Sequence, residues 1–536
     1  MKTEILFNPE ALSKLQNGVD NLARAVRGTL GPRGKVVVFK RGDTIFADDG
    51  TTIANTIEIK DPIEAMGADL IKDVASKTDK EAGDGTTTAI LLCQFILKEG
   101  LKAIAAGVDT LILRKGLSEA LKIAVETIKK ISKPIKNGKD ISNIGTIASK
   151  DPEIGKIISE IIEKIGKEAI IAVEESNVVG MNYEIVKGLQ FEHGYISPYM
   201  MTRQDRGEAV IDKPYILTTN QVISTNQDIV GILDEVIRSD SKSIVIIADE
   251  VSGEALPTLI INKLQGRIRS AAVKAPGFGD EKMERLEDIA ILTGAKLIAE
   301  ETGTKVEDTK LEDLGRADRI ILTKDKTIII GGKGKKAEIQ KRISQLEKLI
   351  KNEKSEYRRE TIKKRLGKLK EGVAIIKVGT ISEQENKEKR FRIEDAVKAT
   401  MSAIEEGIVP GGGVALLEAS KKIEQRAEKE KDINFRMGLN ILAQAIKEPA
   451  YQIVRNAGGK EDVVIAKVEE GRKTITSFGY NSDNETYGDL FEMGVIDPAK
   501  VVRVALENAV SVVSLFLITE AVIADLPEEE KRDEKK

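Results

Sequence analysis

The start of the chain carries apolar residues at spacings of three and four, the period of one face of a helix. The residues that share this face are Leu12, Leu15, Val19, Leu22, Val26 and Leu30. The spacing predicts an amphipathic helix over residues 12–30. The same period dominates residues 88–131, where Gly100, Gly107 and Gly116 predict breaks between shorter helices.

The middle of the chain has a different pattern, in which short apolar runs alternate with amphipathic segments. The run 243–248 is almost entirely apolar and predicts a buried strand, while helical spacing occupies residues 228–238 and 254–264. Two further runs predict strands, at residues 319–323 and 327–330. This alternation predicts an α/β layer domain.

Residues 336–370 are highly charged but keep helical spacing in their apolar positions. A polar break near residues 352–357 divides them into two predicted amphipathic helices with solvated faces. Glutamates interleave with the lysines throughout, which disfavours a nucleic-acid surface here. Beyond a predicted strand at 373–378, helical spacing returns from residue 385, so the chain as a whole is mainly α with an α/β part.

Length and composition limit the classes of function. A chain of 536 residues exceeds what one core sustains, so two to four domains are expected. Lys and Arg total 84 and Asp and Glu total 87, so no net field favours nucleic acid. One histidine and one cysteine exclude a His-rich metal site and an internal disulfide. Cys93 lies in an apolar run and is predicted to be a core residue rather than a nucleophile.

The N-terminal residues and the lengths of the apolar runs bear on the expected location of the protein. The N-terminus lacks a secretory or transit pattern, and the longest uncharged apolar run, residues 508–519, is too short to span a bilayer. The mixed-charge residues 528–536 are predicted to be disordered. We therefore expect a soluble protein of the cytoplasm.

The stretch from Ala82 to Ala89 places two glycines around Asp84 and three threonines before an apolar helix. Glycines let backbone N–H groups approach an anion, and a helix N-terminus adds unpaired donors. Asp84 is a suitable Mg²⁺ ligand, because Mg²⁺ prefers one or two carboxylates together with phosphate oxygens. A nucleotide–magnesium site and an ordinary turn with threonine caps both fit this stretch alone, since no Walker A motif is present.

Two more glycine-centred loops precede this stretch, at residues 29–34 and 48–52. Each lies beside a predicted helix or strand end, where backbone amides are free to meet a ligand. One such loop is weak evidence for a phosphate site, but three loops that converge would be stronger.

Ordered motifs along the chain resemble those of the group I 60-kDa chaperonins, the bacterial and organellar type. The motifs are Thr29-Leu30-Gly31-Pro32, Asp49-Gly50, Gly83 to Thr88, Gly194 to Tyr199, Lys274 to Asp280, Glu394-Asp395-Ala396, Gly411-Gly412-Gly413 and Tyr480-Asn481. Their order and spacing are specific together and cover about residues 5–527. The resemblance implies an ATPase that drives a protein-folding chamber.

The resemblance also implies a multi-domain fold, mainly α with α/β, of the chaperonin type. Its parts would be a helical equatorial ATP domain (residues 1–130 and 406–527), a small intermediate hinge domain (131–187 and 374–405) and an α/β apical domain (188–373). The apical segment lacks the extra insertion that serves as a built-in lid in the archaeal and eukaryotic type. A separate co-chaperonin is therefore expected.

The nucleotide site follows from the matching motifs, residue by residue. Asp84 would hold Mg²⁺, and Asp49 and Asp395 would orient the attacking water. The residues expected to contact the nucleotide are Thr29, Leu30, Gly31, Pro32, Asp84, Gly85, Thr86, Thr87, Thr88, Gly412, Asn481, Ser482, Asp483 and Asp497. The implied cofactors are ATP and Mg²⁺, with K⁺ as a further candidate. Without the resemblance, Asp395 would be interpreted as a helix carboxylate paired with Arg392.

An apolar apical surface would bind partners. The residues expected there are Tyr195, Tyr199, Met200, Val230, Leu233, Leu256, Ile260 and Ile261, with Asn262 beside them. Unfolded or partly folded proteins and a GroES-like co-chaperonin would share this surface, on homo-oligomeric, seven-membered rings without nucleic-acid or membrane partners. A helix face packed on the sheet is the alternative for these residues, so the chaperonin interpretation requires them to be exposed.

The chain departs from the family pattern at several positions. Asp48 replaces a usual lysine beside the phosphates, Glu371 replaces a hinge glycine, and His193 stands where an arginine pairs with the position of Glu383. An Arg and a Glu that join two rings are missing around residues 451 and 460, and the C-terminal Gly-Gly-Met repeat is absent. The sequence is therefore compatible with a single ring and with a double ring. Two other functions compete with the folding chamber: a holdase without productive cycling, and a small-molecule phosphotransferase.

Overall fold

The computed structural model describes residues 3–7, 9–41, 43–47, 49–167, 169–176 and 178–525. Asp48 and residues 528–536, which carried two of the expectations above, lie outside the described residues. The helices are α1 (Glu10–Val26), α2 (Gly50–Thr56), α3 (Pro62–Ala82), α4 (Thr86–Ala105), α5 (Thr110–Ile131), α6 (Gly138–Ser149), α7 (Pro152–Ile165), α8 (Asn226–Arg238), α9 (Ala255–Leu264), α10 (Asp280–Thr293), α11 (Lys336–Asn352), α12 (Glu356–Glu371), α13 (Glu383–Glu406), α14 (Val414–Ala427), α15 (Ile433–Ala445), α16 (Glu448–Asn456), α17 (Glu461–Gly471) and α18 (Ala499–Phe516).

The strands are short, and most pair within small sheets. They are β1 (Thr3–Phe7), β2 (Val37–Arg41), β3 (Asp43–Ala47), β4 (Ile170–Glu175), β5 (Gly180–Val186), β6 (Gly188–Glu192), β7 (Ala209–Asp212), β8 (Tyr215–Thr218), β9 (Val222–Ile223), β10 (Ser243–Ala248), β11 (Glu250–Val251), β12 (Arg269–Lys274), β13 (Gly315–Arg316), β14 (Arg319–Leu322), β15 (Lys326–Ile330), β16 (Val373–Gly379), β17 (Ile408–Pro410), β18 (Phe478–Asn481), β19 (Thr486–Asp489), β20 (Ile496–Pro498) and β21 (Ala521–Asp525). The strand predicted at 243–248 and the two helices predicted within 336–370 are confirmed.

The chain divides into two compact units. The first unit contains residues 1–160 and 387–536, and the second contains residues 161–386. Each unit has its own continuous apolar core.

The first unit is helical and is built from both ends of the chain. The helices that contribute to its core are α1, α2, α3, α4, α5, α14, α15 and α18. Strand β1 pairs antiparallel with β21, so that Thr3 lies opposite Asp525. Residues separated by most of the sequence therefore share one core.

The predicted breaks at Gly100 and Gly116 are wrong, because both glycines lie inside helices, α4 and α5. A Cβ at Gly116 would lie 2.2 Å from the carbonyl oxygen of Phe435 and 3.0 Å from Cα of Gly438. Gly116 on α5 and Gly438 on α15 therefore let these two helices approach closely. Gly107 does separate α4 from α5 and has a φ of +85°, which favours glycine.

The first helix ends earlier than its apolar period predicts. Helix α1 stops at Val26, and residues 27–29 form a 3₁₀ turn. The amide of Asn456 donates to the carbonyl oxygens of Arg27 (3.0 Å) and Leu30 (2.9 Å). Those carbonyls therefore bond to a distant side chain instead of to the next helical turn.

The second unit combines three larger sheets and the short two-stranded sheet β11-β9 with surrounding helices. Its largest parallel element is the sheet β12-β10-β8-β13, in which β10 runs parallel to β8 and β12. The sheet β6-β15-β14-β7 is antiparallel, and β4-β16-β5 is mixed. Strand β10 is buried along its whole length, as expected for a strand covered on both faces. This unit confirms the α/β layer domain.

Three helices of the second unit are joined by a buried ion cluster. Asp288 on α10 accepts from Arg342 on α11 and from Arg365 on α12, both at 2.7 Å. All three side chains are at least nine-tenths buried. These buried charges, together with buried apolar residues of both helices, thus hold α11 and α12 in place, while most of their lysines are exposed.

Cys93 is fully buried within α4, as predicted for a core residue. Burial raises the pKa of its thiol, which disfavours the nucleophilic thiolate. Across the described ranges, no helix is both long enough and apolar enough to cross a bilayer.

Candidate nucleotide site

The Gly83-Asp84-Gly85 turn connects α3 to α4. Both glycines have left-handed backbones, with φ of +78° and +87°. A Cβ at Gly83 would lie 2.1 Å from Cβ of Lys398, and one at Gly85 would lie 2.8 Å from Cγ1 of Val501. The turn is therefore compressed between α13 and α18, and both its conformation and its packing require glycine.

Three threonines form the first turn of α4 directly after Gly85. The N–H groups of a first helical turn have no partner within the helix and attract anions. Thr87 Oγ1 lies 3.3 Å from Thr29 Oγ1, so the first glycine-centred loop reaches this helix end. The hydroxyls and amides here can serve as donors to phosphate oxygens.

The loop that carries Thr29 is closed on itself. Gly34 donates to the carbonyl oxygen of Gly31 (3.0 Å), and Lys35 donates to that of Gly28 (2.8 Å). A Cβ at Gly34 would lie 1.9 Å from the carbonyl oxygen of Thr29. The amide of Asn456 also donates to the carbonyl oxygen of Leu30, so hydrogen bonds within the protein fix the conformation of this loop.

The second glycine-centred loop contributes Asp49, the N-cap of α2. Its carboxylate accepts from the N–H of Thr52 (2.7 Å) and of Thr51 (3.3 Å). A Cβ at Gly50 would lie 2.5 Å from Thr87 Oγ1, so this loop also touches the start of α4. Thr51 Oγ1 is buried and has no hydrogen-bond partner among the described residues.

Asp395 reaches the same place from α13. Ser402 on this helix donates to the carbonyl oxygen of Ala82 (2.8 Å), and Lys398 bonds Asp79 of α3 (3.1 Å). The ammonium of Lys398 also lies 3.9 Å from Asp395. The alternative given above, in which Asp395 pairs with Arg392, differs from the structure, where Arg392 pairs with Glu388 and Asp395 lies near Lys398.

The electrostatics of the carboxylates confirm that they are neighbours. Low solvation raises the pKa of Asp395 well above its usual range; Lys398 opposes this shift, and Asp49, Asp79 and Asp84 add to it. The Asp84 side chain is open to solvent on one side but is otherwise enclosed by protein. This enclosure raises its pKa, and the charges of Asp49 and Asp79 add to the effect. A cluster of this kind is stabilised by added cations.

Asp497 lies close enough to Asp84 for the two charges to interact. Strand β20 pairs antiparallel with β17, which places Asp497 opposite Val409, and the N–H of Gly411 donates to the carbonyl oxygen of Val495 (3.0 Å). Burial, with a smaller contribution from the charge of Asp84, raises the pKa of Asp497 to about 7. Gly412 has a φ of +61°, and a Cβ there would lie 3.5 Å from the carbonyl oxygen of Tyr480.

The polar turn after β18 is tied to the first loop. Arg33 donates to the carbonyl oxygen of Asp483 and to Glu485, both at 2.7 Å. Asn481 accepts from the N–H of Asp483 at 3.0 Å, and Ser482 is buried. The loops of the predicted nucleotide-contacting residues thus adjoin one another in the first unit.

Sequence reasoning missed several residues that shape the site. Asp79 lies four residues before Gly83, and Lys398 lies three residues after Asp395, so helical spacing could have found both. Arg33 and Thr51 are neighbours of predicted residues. Asn456 is far away in sequence, and no local pattern indicates its contact with the first loop.

The predicted apolar surface of the second unit divides into exposed and buried side chains. Tyr199, Ile261 and Val230 are 66%, 52% and 45% exposed. Tyr195, Leu256, Ile260 and Asn262 are partly buried, and Asn262 donates to the carbonyl oxygen of Thr258 (2.9 Å). The expected exposure is wrong for Met200 and Leu233, which are 0% and 3% exposed and belong to the core. Leu264, which sequence reasoning missed, is 66% exposed.

Two of the residues that depart from the family pattern, His193 and Glu371, lie in the described backbone. His193 has a φ of +82°, its N–H donates to the carbonyl oxygen of Asp325, and its own carbonyl accepts from Thr327 (both 2.9 Å). Glu371 ends α12 directly before Gly372, whose φ is +78°. The expected effects of these departures on the reaction cycle stay predictions.

Comparison with known proteins matches the chain to the TCP-1/cpn60 chaperonin family over residues 22–527. The chain belongs to this family. A similar solved structure is that of the chaperonin gp146 from bacteriophage EL 2 (Pseudomonas aeruginosa), obtained in the presence of ATP-BeFx. Its TM-score is 0.72 at 20% sequence identity, with 98% of this chain and 99% of that chain covered. The chaperonin fold predicted from the sequence is thus confirmed, and family membership supports a chaperone function.

Proposed function

We propose that this chaperonin is an ATPase that folds non-native proteins inside a ring. The observation that carries the proposal is the convergence of Asp49, Asp84 and Asp395 at the Gly83–Gly85 turn. Three separate segments supply these carboxylates beside an anion-binding helix end. The phage chaperonin obtained with ATP-BeFx adds support, since it shares the fold.

The residues present fit a magnesium nucleotide. The buried hydroxyl of Thr51 lacks a partner among the described residues. Low solvation and the charges of Asp49 and Asp79 raise the pKa of Asp84 and of Asp395, so the cluster favours a bound cation. Within the described part of the chain, no three His, Cys, Asp or Glu side chains form a metal cage. Asp84 would therefore hold Mg²⁺ together with phosphate oxygens, the arrangement typical of this ion. When bound, Mg²⁺ supplies charge neutralisation at the phosphates.

The other residues would divide the work of binding and orientation. The phosphates would be contacted by Thr86, Thr87 and Thr88, by Gly85 and by the Thr29–Pro32 loop. The ribose and the base would be held by Gly412, Asp497 and the 481–483 turn. Asp49 and Asp395 would orient the attacking water and accept its proton. Phosphoryl transfer depends mainly on such positioning and on charge stabilisation. Hydrolysis would then depend on the position of α13, which supplies Asp395.

The remaining expectations belong to the same proposal. The equatorial, intermediate and apical domains would have the boundaries given above, and the protein would act in the cytoplasm as a group I chaperonin with a GroES-like partner. The exposed apolar side chains of the second unit, Tyr199, Val230 and Ile261, would bind non-native chains, because an apolar patch recognises them without sequence specificity. K⁺ is a further candidate cofactor.

The test is ATP turnover by the purified protein and by Asp395→Ala. We expect wild-type hydrolysis that depends on Mg²⁺, and a loss of about a hundredfold or more in the variant with ATP still bound. Negative-stain imaging with and without ATP and a co-chaperonin should show rings. Bound ATP without turnover in either protein would support a holdase, and a monomer that never assembles would contradict the folding chamber.

A further inference from the structure

Helix α13 contacts the α3 end of the Gly83–Gly85 turn through residues on one face. Asp395, Lys398 and Ser402 are spaced three and four apart, so they lie on the same side of the helix. Ser402 bonds the main chain at Ala82, and the Lys398 stem fills the space in front of Gly83. Contact at these two points brings the third residue, Asp395, to the carboxylate cluster.

The ammonium of Lys398 lies between two carboxylates of different helices. It is 3.1 and 3.4 Å from the two oxygens of Asp79 on α3 and 3.9 Å from Asp395 on its own helix. Asp79, Asp395 and Glu394 are the acidic groups whose charges raise the pKa of Lys398, while burial opposes them. One cation therefore neutralises part of the cluster and also joins α13 to α3.

This ion pair is poorly suited to a purely stabilising role. The Lys398 side chain is 47% exposed and Asp79 is 33% exposed. Exposed pairs contribute little to folding, because water and salt screen them. The pair does, however, fix the one helix that carries Asp395, and a small displacement of a reacting group can reduce a rate strongly.

We infer that Lys398 is a positioning residue for ATP hydrolysis: its ion pair with Asp79 holds Asp395 beside the Gly83–Gly85 turn. The inference rests on the proposed ATPase function. Lys398 itself binds neither the magnesium nor the attacking water. Its loss should therefore affect the hydrolysis step and leave nucleotide binding largely intact.

The test compares Lys398→Met, Lys398→Arg, Asp79→Asn and the double variant Lys398→Met/Asp79→Asn. Single-turnover hydrolysis should fall about tenfold to a hundredfold in Lys398→Met, while the ATP affinity changes by less than about threefold. Lys398→Arg should retain most of the rate. The double variant should be no slower than the slower single variant, because both remove the same contact.

A matched control is Glu405→Gln, which removes the 2.6 Å pair between Glu405 on α13 and Lys500 on α18. It should leave hydrolysis unchanged. A Lys398→Met enzyme with the wild-type rate, or additive losses in the double variant, would overturn the inference. So would a Glu405→Gln enzyme as slow as Lys398→Met, since any α13 contact would then suffice.

Hydrogen exchange separates this inference from the proposed function. Lys398→Met should speed exchange of the α13 amides around Asp395 in the nucleotide-free protein, and Glu405→Gln should not. If the wild type shows no turnover, the ATPase proposal fails, yet faster α13 exchange still supports the contact as the device that holds Asp395. Unchanged exchange overturns that role whatever the turnover.

Discussion

Gly50 and Thr87 are in direct contact: a Cβ atom on Gly50 would lie 2.5 Å from Thr87 Oγ1 and 2.9 Å from Thr86 Oγ1. The first residue of α2 therefore limits where the hydroxyls at the start of α4 can lie. These hydroxyls are the proposed phosphate donors, so a methyl group at residue 50 acts on the site without touching a carboxylate.

We expect Gly50→Ala to weaken Mg²⁺–ATP binding by about tenfold, because the added methyl displaces Thr86 and Thr87 (a loss of about 1.4 kcal/mol). Titration calorimetry measures the change. Gly231→Ala on α8 is the matched control, since its Cβ would meet no atom within 4 Å. Equal affinities in the two variants would contradict the proposed role of the α2–α4 contact.

The pKa of Asp497 predicts a pH dependence of stability. Burial raises this pKa from 3.8 to about 7 in the folded protein, so the folded state keeps a proton that the unfolded state releases. The stability that this group contributes is therefore lost as the pH rises through 7. Asp497→Asn removes the ionisation, and the variant should become more stable relative to wild type between pH 5 and pH 8.

Thermal unfolding without nucleotide measures this difference. The melting temperature of Asp497→Asn minus that of wild type should increase by about 2 to 4 °C or more over this range and change little above pH 8. A difference that is constant with pH would contradict the raised pKa of Asp497.

The buried cluster around Asp288 predicts a large loss of stability. Asp288→Asn removes the buried carboxylate that Arg342 and Arg365 share. The two arginines keep only their ion pairs with the more exposed Glu287 and Glu284. Breaking a buried pair in this way costs about 3–5 kcal/mol. Chemical denaturation, followed by a probe in the second unit, should show this loss, while nucleotide binding in the first unit persists.

An exposed pair on α12 is the control for that prediction. Glu360 and Lys363 lie 3.8 Å apart, and both side chains are more than half exposed. Glu360→Gln should cost only about 0–1 kcal/mol. If Asp288→Asn cost no more than this, the cluster would not be what fixes α11 and α12 to α10.

Local sequence patterns predicted elements better than they predicted sites. The apolar run 243–248 and the amphipathic pair α11–α12 were found because their periods depend on nearby residues alone. Gly100 and Gly116 were misinterpreted, since a glycine that breaks a helix and one that permits close packing look alike without the partner helix. The loops of the proposed nucleotide site were predicted from their motifs, but Asp79, Lys398 and Asn456 required the long-range packing of the first unit.

Local sequence spacing also failed to predict which residues of the apolar surface are buried, as Met200 and Leu233 show. The three- and four-residue spacing places Val230 and Leu233 near each other on α8, yet Val230 is 45% exposed and Leu233 is 3% exposed. A helix that lies on a sheet buries one side of its apolar stripe and leaves the edge open. Burial therefore separates side chains that hold the second unit together from those available to a partner.

This separation predicts opposite phenotypes for neighbouring substitutions. Ile261→Ser and Tyr199→Ser should weaken capture of a chemically denatured test protein, measured as suppression of its aggregation, because they remove exposed apolar area. Each should change unfolding stability by no more than about 0.5 kcal/mol. Leu233→Ala should cost about 2–5 kcal/mol of stability, because it leaves a cavity under α8.

Capture of the test protein by Leu233→Ala and by wild type should be compared at a temperature at which the Leu233→Ala protein is still folded. There its capture of the test protein should equal that of wild type, since its exposed residues are unchanged. If Leu233→Ala abolished capture while Ile261→Ser and Tyr199→Ser left it intact, the binding surface would include residues that are buried in this structure. The second unit would then have to open before it binds a non-native chain.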